Sequence, residues 1–217
     1  MLFRSRISLD LSHLGIWLNE DLAIKNFRKL AEVAQEGKVD LFISAEGLDT
    51  TDKILETYTQ FSKEFDNVHI TVQVYLHRSK KDIEHILKNS RGSIRLVKGA
   101  YEGPKELFLQ RGHELNDRYV ELLQIVLDAG RYCSIATHDP AMIERIVALL
   151  KLWKVPPTQY EFEMLFGIES ELLIHLKKQG HRCRQYIVYG KEWYLYLCNR
   201  ISENPDNLFR ALVDIMT

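Results

Sequence analysis

The sequence predicts an α/β fold of the TIM type, a β/α barrel that is incomplete at its start. Short apolar runs alternate with stretches whose apolar residues have helical spacing, and polar residues collect at the end of nearly every apolar run. Repeated strand–helix units imply a parallel sheet, and in a barrel the late strand ends converge on one mouth. A doubly wound dinucleotide-binding sheet is not favoured, because no G-x-G-x-x-G follows the first strand.

Seven strands are predicted in chain order, at "SRISLDLS", "VDLFISAE", "HITVQVYLH", "SIRLVKGA", "YCSIATHD", "YEFEMLFG" and "RQYIVYG". Helical segments lie between them, including "NEDLAIKNFRKLAEVAQEG" and "DTTDKILETYTQFSKEF". Asn19 and Asp49 are predicted to begin helices, and Gly37, Gly130 and Gly180 to follow helices. The late strand ends carry polar residues, which are Glu46, Gln73, Lys98, Thr137, His138, Glu163 and Tyr189.

The number of strands sets an expectation about completeness. A closed barrel of this type needs eight strand–helix units, and the first predicted strand begins close to Met1, so we expect the first unit to be the missing one. The length of 217 residues and the lack of a linker predict a single domain over residues 1–217. Because an open barrel leaves two strand edges, we expect a second copy or a partner chain to cover them.

Composition narrows the class of protein. Hydrophobic residues make up 46% and charged residues 27%, which is typical of a soluble globular protein, and the net charge of -1 does not favour nucleic-acid binding. The three cysteines, Cys133, Cys183 and Cys198, lack metal-ligand spacing, so we interpret them as reduced thiols and predict no metal site. No apolar run is long enough to span a membrane. A cytoplasmic location is therefore predicted, with at most peripheral membrane contact.

The stretch "SIRLVKGAY" places two cations, Arg95 and Lys98, in a strand that is otherwise apolar. A charge in a protein core costs several kcal/mol unless it is paired or solvated. One interpretation is a buried ion network in which Arg95 and Lys98 pair with Glu46 or Glu163. The other is that the cations hold a ligand.

At "RLVKGAY" the sequence resembles the proline dehydrogenase family, whose barrels bind FAD. Further stretches resemble family motifs in the same chain order: "VQVYLHR", "ATHD", "YEFEMLFGI" and "YIVYGKEWYLYLCNRISENP". The resemblance extends from about Ile7 to the C-terminus. It implies an oxidoreductase that moves a hydride from proline, or a related cyclic amine, to the flavin. The product would be an imine such as pyrroline-5-carboxylate, and a quinone-like compound would accept the electrons.

The resemblance also implies a set of cofactor-binding residues, which are Ala45, Gln73, Arg95, Lys98, Gly99, Ala100, Thr137, His138 and Glu163. Arg95 would lie beside the flavin ring as a catalytic residue, and Lys98 would face the anionic part of FAD. Gln73 would bond to the ring, and the Gly99–Ala100 turn would let the backbone approach the cofactor closely. Thr137 and His138 would hold the phosphate and ribose region, with Glu163 on the adenosine side.

The substrate end departs from the family pattern. The family holds the proline carboxylate with a lysine on the first strand present here and with two adjacent arginines. Asp10 stands at the lysine position, Asn199 at the first arginine position, and only Arg200 is retained. Ser44 replaces an active-site aspartate and is taken as a second catalytic residue. Further positions match the family's substrate pocket, among them Tyr101, Leu165 and Tyr186.

The changes at the residues that hold the proline carboxylate leave several interpretations open. Losing two charged hydrogen bonds, at roughly 1.5–3 kcal/mol each, could weaken proline binding by orders of magnitude. Asp10 could instead pair with Arg200, or it could bind an amine that lacks a carboxylate. A register error of one residue on the first strand would also account for Asp10. The main alternative to the enzyme is a catalytically degenerate relative that acts as a binding or partner-dependent subunit.

Overall fold

The computed structural model describes residues 5–99 and 105–190, and strands alternate with helices throughout both ranges. The strands are β1 (Arg6–Leu9), β2 (Asp40–Ile43), β3 (Val68–Gln73), β4 (Ile94–Val97), β5 (Cys133–Ala136), β6 (Tyr160–Leu165) and β7 (Cys183–Tyr186). The helices are α1 (Glu20–Glu36), α2 (Thr51–Glu64), α3 (Ser79–Asn89), α4 (His113–Asp128), α5 (Pro140–Leu152) and α6 (Ser170–Lys178). The predicted β/α architecture with seven strands is confirmed.

The residues group into two compact units, Met1–Ser134 and Ile135–Thr217. In the first unit, β1, β2, β3 and β4 pair in chain order, and every pair is parallel. In the second unit, β6 and β7 form another parallel pair. The single domain over residues 1–217 stays a prediction.

The strands of the first unit have two chemically different faces. Ile94 and Leu96 are fully buried, and β4 contacts α4. Side chains alternate between the two faces along each strand, so the residues next to these two point to the opposite face. The strand register brings onto this opposite face a set of mainly polar side chains, here called the polar face: Arg6, Ser8, Asp40, Phe42, His69, Thr71, Gln73 and Arg95. The two-residue period therefore explains how Arg95 lies in an apolar strand.

Most of the predicted helix boundaries are confirmed. The Asn19 side chain accepts a hydrogen bond from Leu22 N at 2.9 Å, which caps α1, and Gly37 directly follows that helix. Gly130 and Gly180 follow the ends of α4 and α6, with φ angles of 72° and 93°.

The prediction that Asp49 begins a helix is wrong. Asp49 lies inside a 3-10 turn, Leu48–Thr50, and its Oδ1 accepts from the Thr50 hydroxyl at 3.3 Å. Thr50 already has helical backbone angles, so the chain passes from the turn into α2 at Thr51 without an extended cap residue.

Helix α5 in the second unit begins with a side-chain cap. The Asp139 side chain accepts from Met142 N at 3.1 Å, and Pro140 occupies the first helical position. Within residues 5–99 and 105–190, no helix is both long and apolar enough to cross a membrane. The stretch "NPDNLFRALVDIM", whose residue pattern predicts a capped amphipathic helix, lies outside the described residues.

Candidate functional site

Arg95 lies on the polar face and is 5% exposed. Its Nη1 atom donates to Ser8 Oγ at 2.8 Å and to Thr71 Oγ1 at 3.4 Å. Its guanidinium carbon also lies 4.3 Å from the centre of the Phe42 ring, within the range of a cation–π interaction. Groups on β1, β2 and β3 therefore hold this predicted catalytic side chain in one orientation.

Gln73, the last residue of β3, is buried and fixed through its amide nitrogen. Nε2 donates to the backbone oxygen of Glu46 at 2.8 Å, and the backbone oxygen of Gln73 accepts from Ser79 Oγ at 2.5 Å. Within the described residues, the side-chain oxygen of Gln73 accepts no hydrogen bond. The side chain can therefore offer an acceptor to a ligand without losing its own anchor.

Glu46 is 7% exposed and lies in the loop after β2. Its Oε1 accepts from Leu11 N at 2.8 Å, and its Oε2 accepts from Ser12 N at 3.3 Å. The interpretation in which Arg95 or Lys98 pairs with Glu46 is therefore wrong, because backbone amides satisfy this carboxylate. The sequence predicts that Glu46 lies at a strand end, but no local pattern indicates its partners, which lie more than thirty residues away.

Asp10 and Ser44 are placed at neighbouring strand ends. Ser44 N donates to Leu9 O at 2.9 Å, which continues the β1–β2 ladder beyond the strands, and Ala45 follows it in the chain. The Asp10 side chain is 34% exposed, and its Oδ2 lies 3.9 Å from His13 Nδ1. The Asp10 carboxylate is therefore accessible at the end of β1.

The turn after β4 requires glycine. Gly99 has a φ of 115°, and a Cβ atom built there would lie 2.1 Å from Cδ1 of Tyr75. The half-buried Lys98 accepts a hydrogen bond from Tyr75 N through its backbone oxygen at 3.0 Å. The close backbone approach that the structure shows at Gly99 is thus to an aromatic ring of the protein.

A buried ion cluster at the early ends of the strands was not predicted from the sequence. Arg6 Nε lies 3.6 Å from Asp40 Oδ2, and His69 Nε2 lies 3.6 Å from Asp40 Oδ1. His69 Nδ1 accepts from Ser93 N at 2.9 Å, so the proton of the neutral ring sits on Nε2, facing Asp40. The alternation of polar and apolar residues in "SRISLDLS" was the available signal, but the partners belong to three different strands.

In the second unit, Thr137 and His138 follow β5. His138 Nε2 accepts from Leu165 N at 2.8 Å, so in the neutral ring Nδ1 carries the proton. Thr137 is buried, and its hydroxyl accepts from Asp139 N at 3.3 Å. The contact from His138 to Leu165 ties the end of β5 to the end of β6.

Glu163 lies on β6 and is almost fully buried, with Arg184 as its register partner on β7. Arg184 Nε donates to both carboxylate oxygens of Glu161, at 3.1 and 3.2 Å. Leu165 and Tyr186 are register partners at the ends of the same two strands, and both are half-buried. The middle of the β6–β7 pair therefore carries acidic and basic side chains, and its late end carries an apolar and an aromatic side chain.

Four of the predicted site residues lie outside the described residues, namely Ala100, Tyr101, Asn199 and Arg200. In the first unit, the late strand ends carry Asp10, Ser44, Ala45, Gln73, Lys98 and Gly99, and Arg95 lies two residues before the end of β4. In the second unit, they carry Thr137, His138, Leu165 and Tyr186, and Glu163 lies two residues before the end of β6. Among residues 5–99 and 105–190, no group of three His, Cys, Asp or Glu side chains is placed to hold a metal ion.

Comparison with protein families matches residues 3–210 to the family described as proline dehydrogenase. Proline dehydrogenase 1 of Bacillus subtilis subsp. natto is 34% identical over 214 residues, which cover 98% of this chain and 70% of that protein. Proline dehydrogenase of Deinococcus radiodurans is 32% identical over 206 residues, covering 93% of this chain and 66% of that protein.

Solved structures match the chain closely in fold. Proline utilization A from Bdellovibrio bacteriovorus has a TM-score of 0.81 at 20% identity, covering 91% of this chain. Proline utilization A from Bradyrhizobium japonicum has a TM-score of 0.79 at 20% identity over 92% of this chain. This chain spans 24% of the length of each of those two proteins.

Proposed function

The chain belongs to the proline dehydrogenase family, and from that premise we propose that it oxidises L-proline, or a related cyclic amine, with FAD as the cofactor. The product would be an imine such as pyrroline-5-carboxylate, and a quinone-like compound would take the electrons. The observation that carries the proposal is the family match over residues 3–210.

The residues of the first unit fit a flavin by their chemistry. An isoalloxazine ring presents several acceptor atoms and one ring N–H, and Arg95 provides a buried donor while Gln73 provides a free acceptor oxygen. A fixed cation also favours the electron-rich reduced form of such a ring. When bound, FAD would supply the hydride-accepting chemistry.

Each residue of the first unit has a separate part in this proposal. Arg95 would donate to the ring and stabilise negative charge there. Its contacts to Ser8 and Thr71 would keep the guanidinium in a fixed orientation for this. Gln73 would accept the ring N–H. Ala45 would contact the ring through its backbone, and Lys98 would neutralise the anionic part of the cofactor, with the Gly99–Ala100 turn beside it.

The resemblance to the family assigns three residues of the second unit to the cofactor as well. Thr137 and His138 would bind the phosphate and ribose region, and His138 would donate from Nδ1, since Nε2 already accepts from Leu165. Glu163 would lie on the adenosine side.

The resemblance to the family assigns seven residues to the substrate, and they are Asp10, Ser44, Tyr101, Leu165, Tyr186, Asn199 and Arg200. Ser44 would orient the amine, and the apolar and aromatic ends of β6 and β7 would exclude water from the ring carbons. Arg200 would bind a substrate carboxylate.

A cyclic amine without a carboxylate is the second candidate substrate, and Asp10 favours it. The Asp10 carboxylate is accessible at the end of β1, where it attracts a cationic amine and repels a carboxylate. Proline carries both groups, whereas pyrrolidine carries only the amine. The two compounds therefore separate the two candidates.

Association and location stay predictions. Exposed apolar side chains on β1 and α1, Ile7 at 54% and Val33 at 66%, support association with a second copy or a partner chain. The free thiols of Cys133 and Cys183 fit the reducing cytoplasm.

The test is an anaerobic absorbance titration of protein reconstituted with FAD. Bleaching of the flavin band by L-proline supports the proline reaction, and bleaching by pyrrolidine alone selects the second candidate. D-proline serves as the control for stereochemical recognition. Protein that cannot be loaded with FAD contradicts the proposal and favours the catalytically degenerate alternative.

A further inference from the structure

We propose that Glu46 is a positioning residue that sets the place of Asp10 and thereby tunes recognition of the substrate. The inference rests on the proposed function, because Asp10 is assigned there to the substrate site. Glu46 itself is assigned no contact with substrate or cofactor. It acts through the backbone of the loop that follows β1.

The carboxylate of Glu46 holds that loop directly. Oε1 accepts from Leu11 N at 2.8 Å, and Ser12 N lies 3.4 Å from Oε1 and 3.3 Å from Oε2. These two amides belong to the residues immediately after Asp10. Hydrogen bonds to an ionised acceptor are stronger than neutral ones, and Leu11 is 1% exposed, so water does not compete for this contact.

The negative charge of Glu46 is balanced locally by backbone dipoles. In the described part of the chain, no Lys, Arg or His side chain forms an ion pair with Glu46. A buried carboxylate is stable only where donors satisfy its oxygens. The loop amides are therefore required by the carboxylate, and the carboxylate holds the loop in return.

The backbone of Glu46 takes part in a second, independent contact. Its carbonyl oxygen accepts from Gln73 Nε2 at 2.8 Å, and the Gln73 carbonyl oxygen accepts from Ser79 Oγ. A substitution of the Glu46 side chain leaves the Gln73 contact intact, because that contact uses only the Glu46 backbone. The side chain thus controls the substrate loop, and the backbone anchors a residue assigned to the flavin.

Glu46→Gln is the most informative variant, because the glutamine side chain has nearly the same shape as glutamate but carries no charge. Its single carboxamide oxygen can still accept from Leu11 N, but its NH2 group must then face Ser12 N, which is donor against donor. The 3.3 Å bond from Ser12 N to Oε2 is lost, so that only the 3.4 Å contact to the remaining oxygen is left, and the bond to Leu11 becomes a neutral one. Asp49→Asn is the matched control, since Asp49 lies three residues later and its side chain accepts from the Thr50 hydroxyl.

The first measurement is amide hydrogen exchange on protein without FAD. In Glu46→Gln we expect the Leu11 and Ser12 amides to exchange at least about tenfold faster, while the exchange rates of the β3 amides stay unchanged. In Asp49→Asn, the exchange rates of Leu11 and Ser12 should equal those of the unsubstituted protein. Unchanged exchange at Leu11 and Ser12 in a folded Glu46→Gln protein overturns the proposal. This measurement needs no activity, so it holds even if the proposed function fails.

The second measurement separates positioning from simple support of the fold. With the FAD-loaded enzyme and whichever amine reduces it, Glu46→Gln should raise KM by about tenfold while kcat changes by less than about threefold. The flavin spectrum should be unchanged, because Gln73 and Arg95 keep their contacts. A lower melting temperature with an unchanged KM overturns the positioning role. If the wild-type protein binds no FAD, the proposed function is contradicted. The hydrogen-exchange result then still decides whether Glu46 holds the loop.

Discussion

The guanidinium carbon of Arg95 lies 4.3 Å from the centre of the Phe42 ring, while Nη1 of the same side chain donates to Ser8 Oγ at 2.8 Å. A strand-borne cation is thus fixed from neighbouring strands before any ligand binds. Preorganised donors of this kind stabilise developing negative charge without reorganising during the reaction. The redox role proposed for Arg95 depends on this orientation.

Removing Arg95 should slow reduction of the flavin. A hydrogen bond to a charged group contributes roughly 1.5–3 kcal/mol, so Arg95→Ala should reduce the rate by about 10- to 100-fold. Arg95→Lys keeps the charge but loses the planar fork, and we expect an intermediate rate. Stopped-flow absorbance of the FAD-loaded variants measures the effect, with circular dichroism to verify folding.

Arg118→Ala is the control for that experiment, because Arg118 pairs with Glu121 on the surface of α4 at 3.5 Å. Its rate should equal that of the unsubstituted protein. A rate for Arg95→Ala that matches this control contradicts the role assigned to Arg95.

Changing the charge at Asp10 should change which substrate is preferred. Asp10→Lys combined with Asn199→Arg restores two cations, so the KM for L-proline should fall by about tenfold or more, and the KM for pyrrolidine should rise. Steady-state kinetics with both amines measures this exchange of preference. Asp21→Lys, at an exposed position on α1, is the control for the charge change of Asp10→Lys. Equal KM values before and after the double change argue against the register that places Asp10 in the substrate site.

Gly99→Ala should destabilise the protein far more than alanine at another glycine with positive φ. Both Gly99, at 115°, and Gly15, at 91°, have backbone angles that cost an alanine roughly 1–2 kcal/mol. Only at Gly99 does the new Cβ overlap a ring, that of Tyr75, which adds about 1–3 kcal/mol. Urea denaturation of Gly99→Ala and Gly15→Ala measures the difference, and equal losses disprove the close packing.

The unfolding free energy should depend on the ionisation of His181. Burial lowers the pKa of His181 in the folded state, and its Nδ1 lies 2.8 Å from the Tyr160 hydroxyl. The unfolded chain therefore takes up a proton first as the pH falls below about 6.5, and stability is lost from that pH down to the lower folded value.

Urea midpoints at pH 8 and pH 5 test the role of His181. We expect a fall between these two values that is smaller in His181→Asn, which cannot be protonated. His13→Asn, at an exposed position, should retain the full dependence. An identical pH dependence in His181→Asn and the unsubstituted protein excludes His181 as a source of it.

Local features of the sequence were sufficient for most of the architecture. The strand at "SIRLVKGA" and the cap at Asn19 depend on residues within a few positions of each other, and the structure confirms both. At Asp49, in contrast, local residue type is not sufficient. Its residue type fits a cap, but the chain adopts a 3-10 turn there that leads directly into α2.

The sequence by itself determined the alternation of strands with helices, the family, and the presence of a cation in β4, because hydrophobic period, turn residues and motifs act over short distances. Only the tertiary structure decided that Glu46 binds the amides of Leu11 and Ser12, and that Asp40 meets both Arg6 and His69. These partners come from different strands. Strand pairing and register bring them together, and no local pattern in the chain encodes the distances between them.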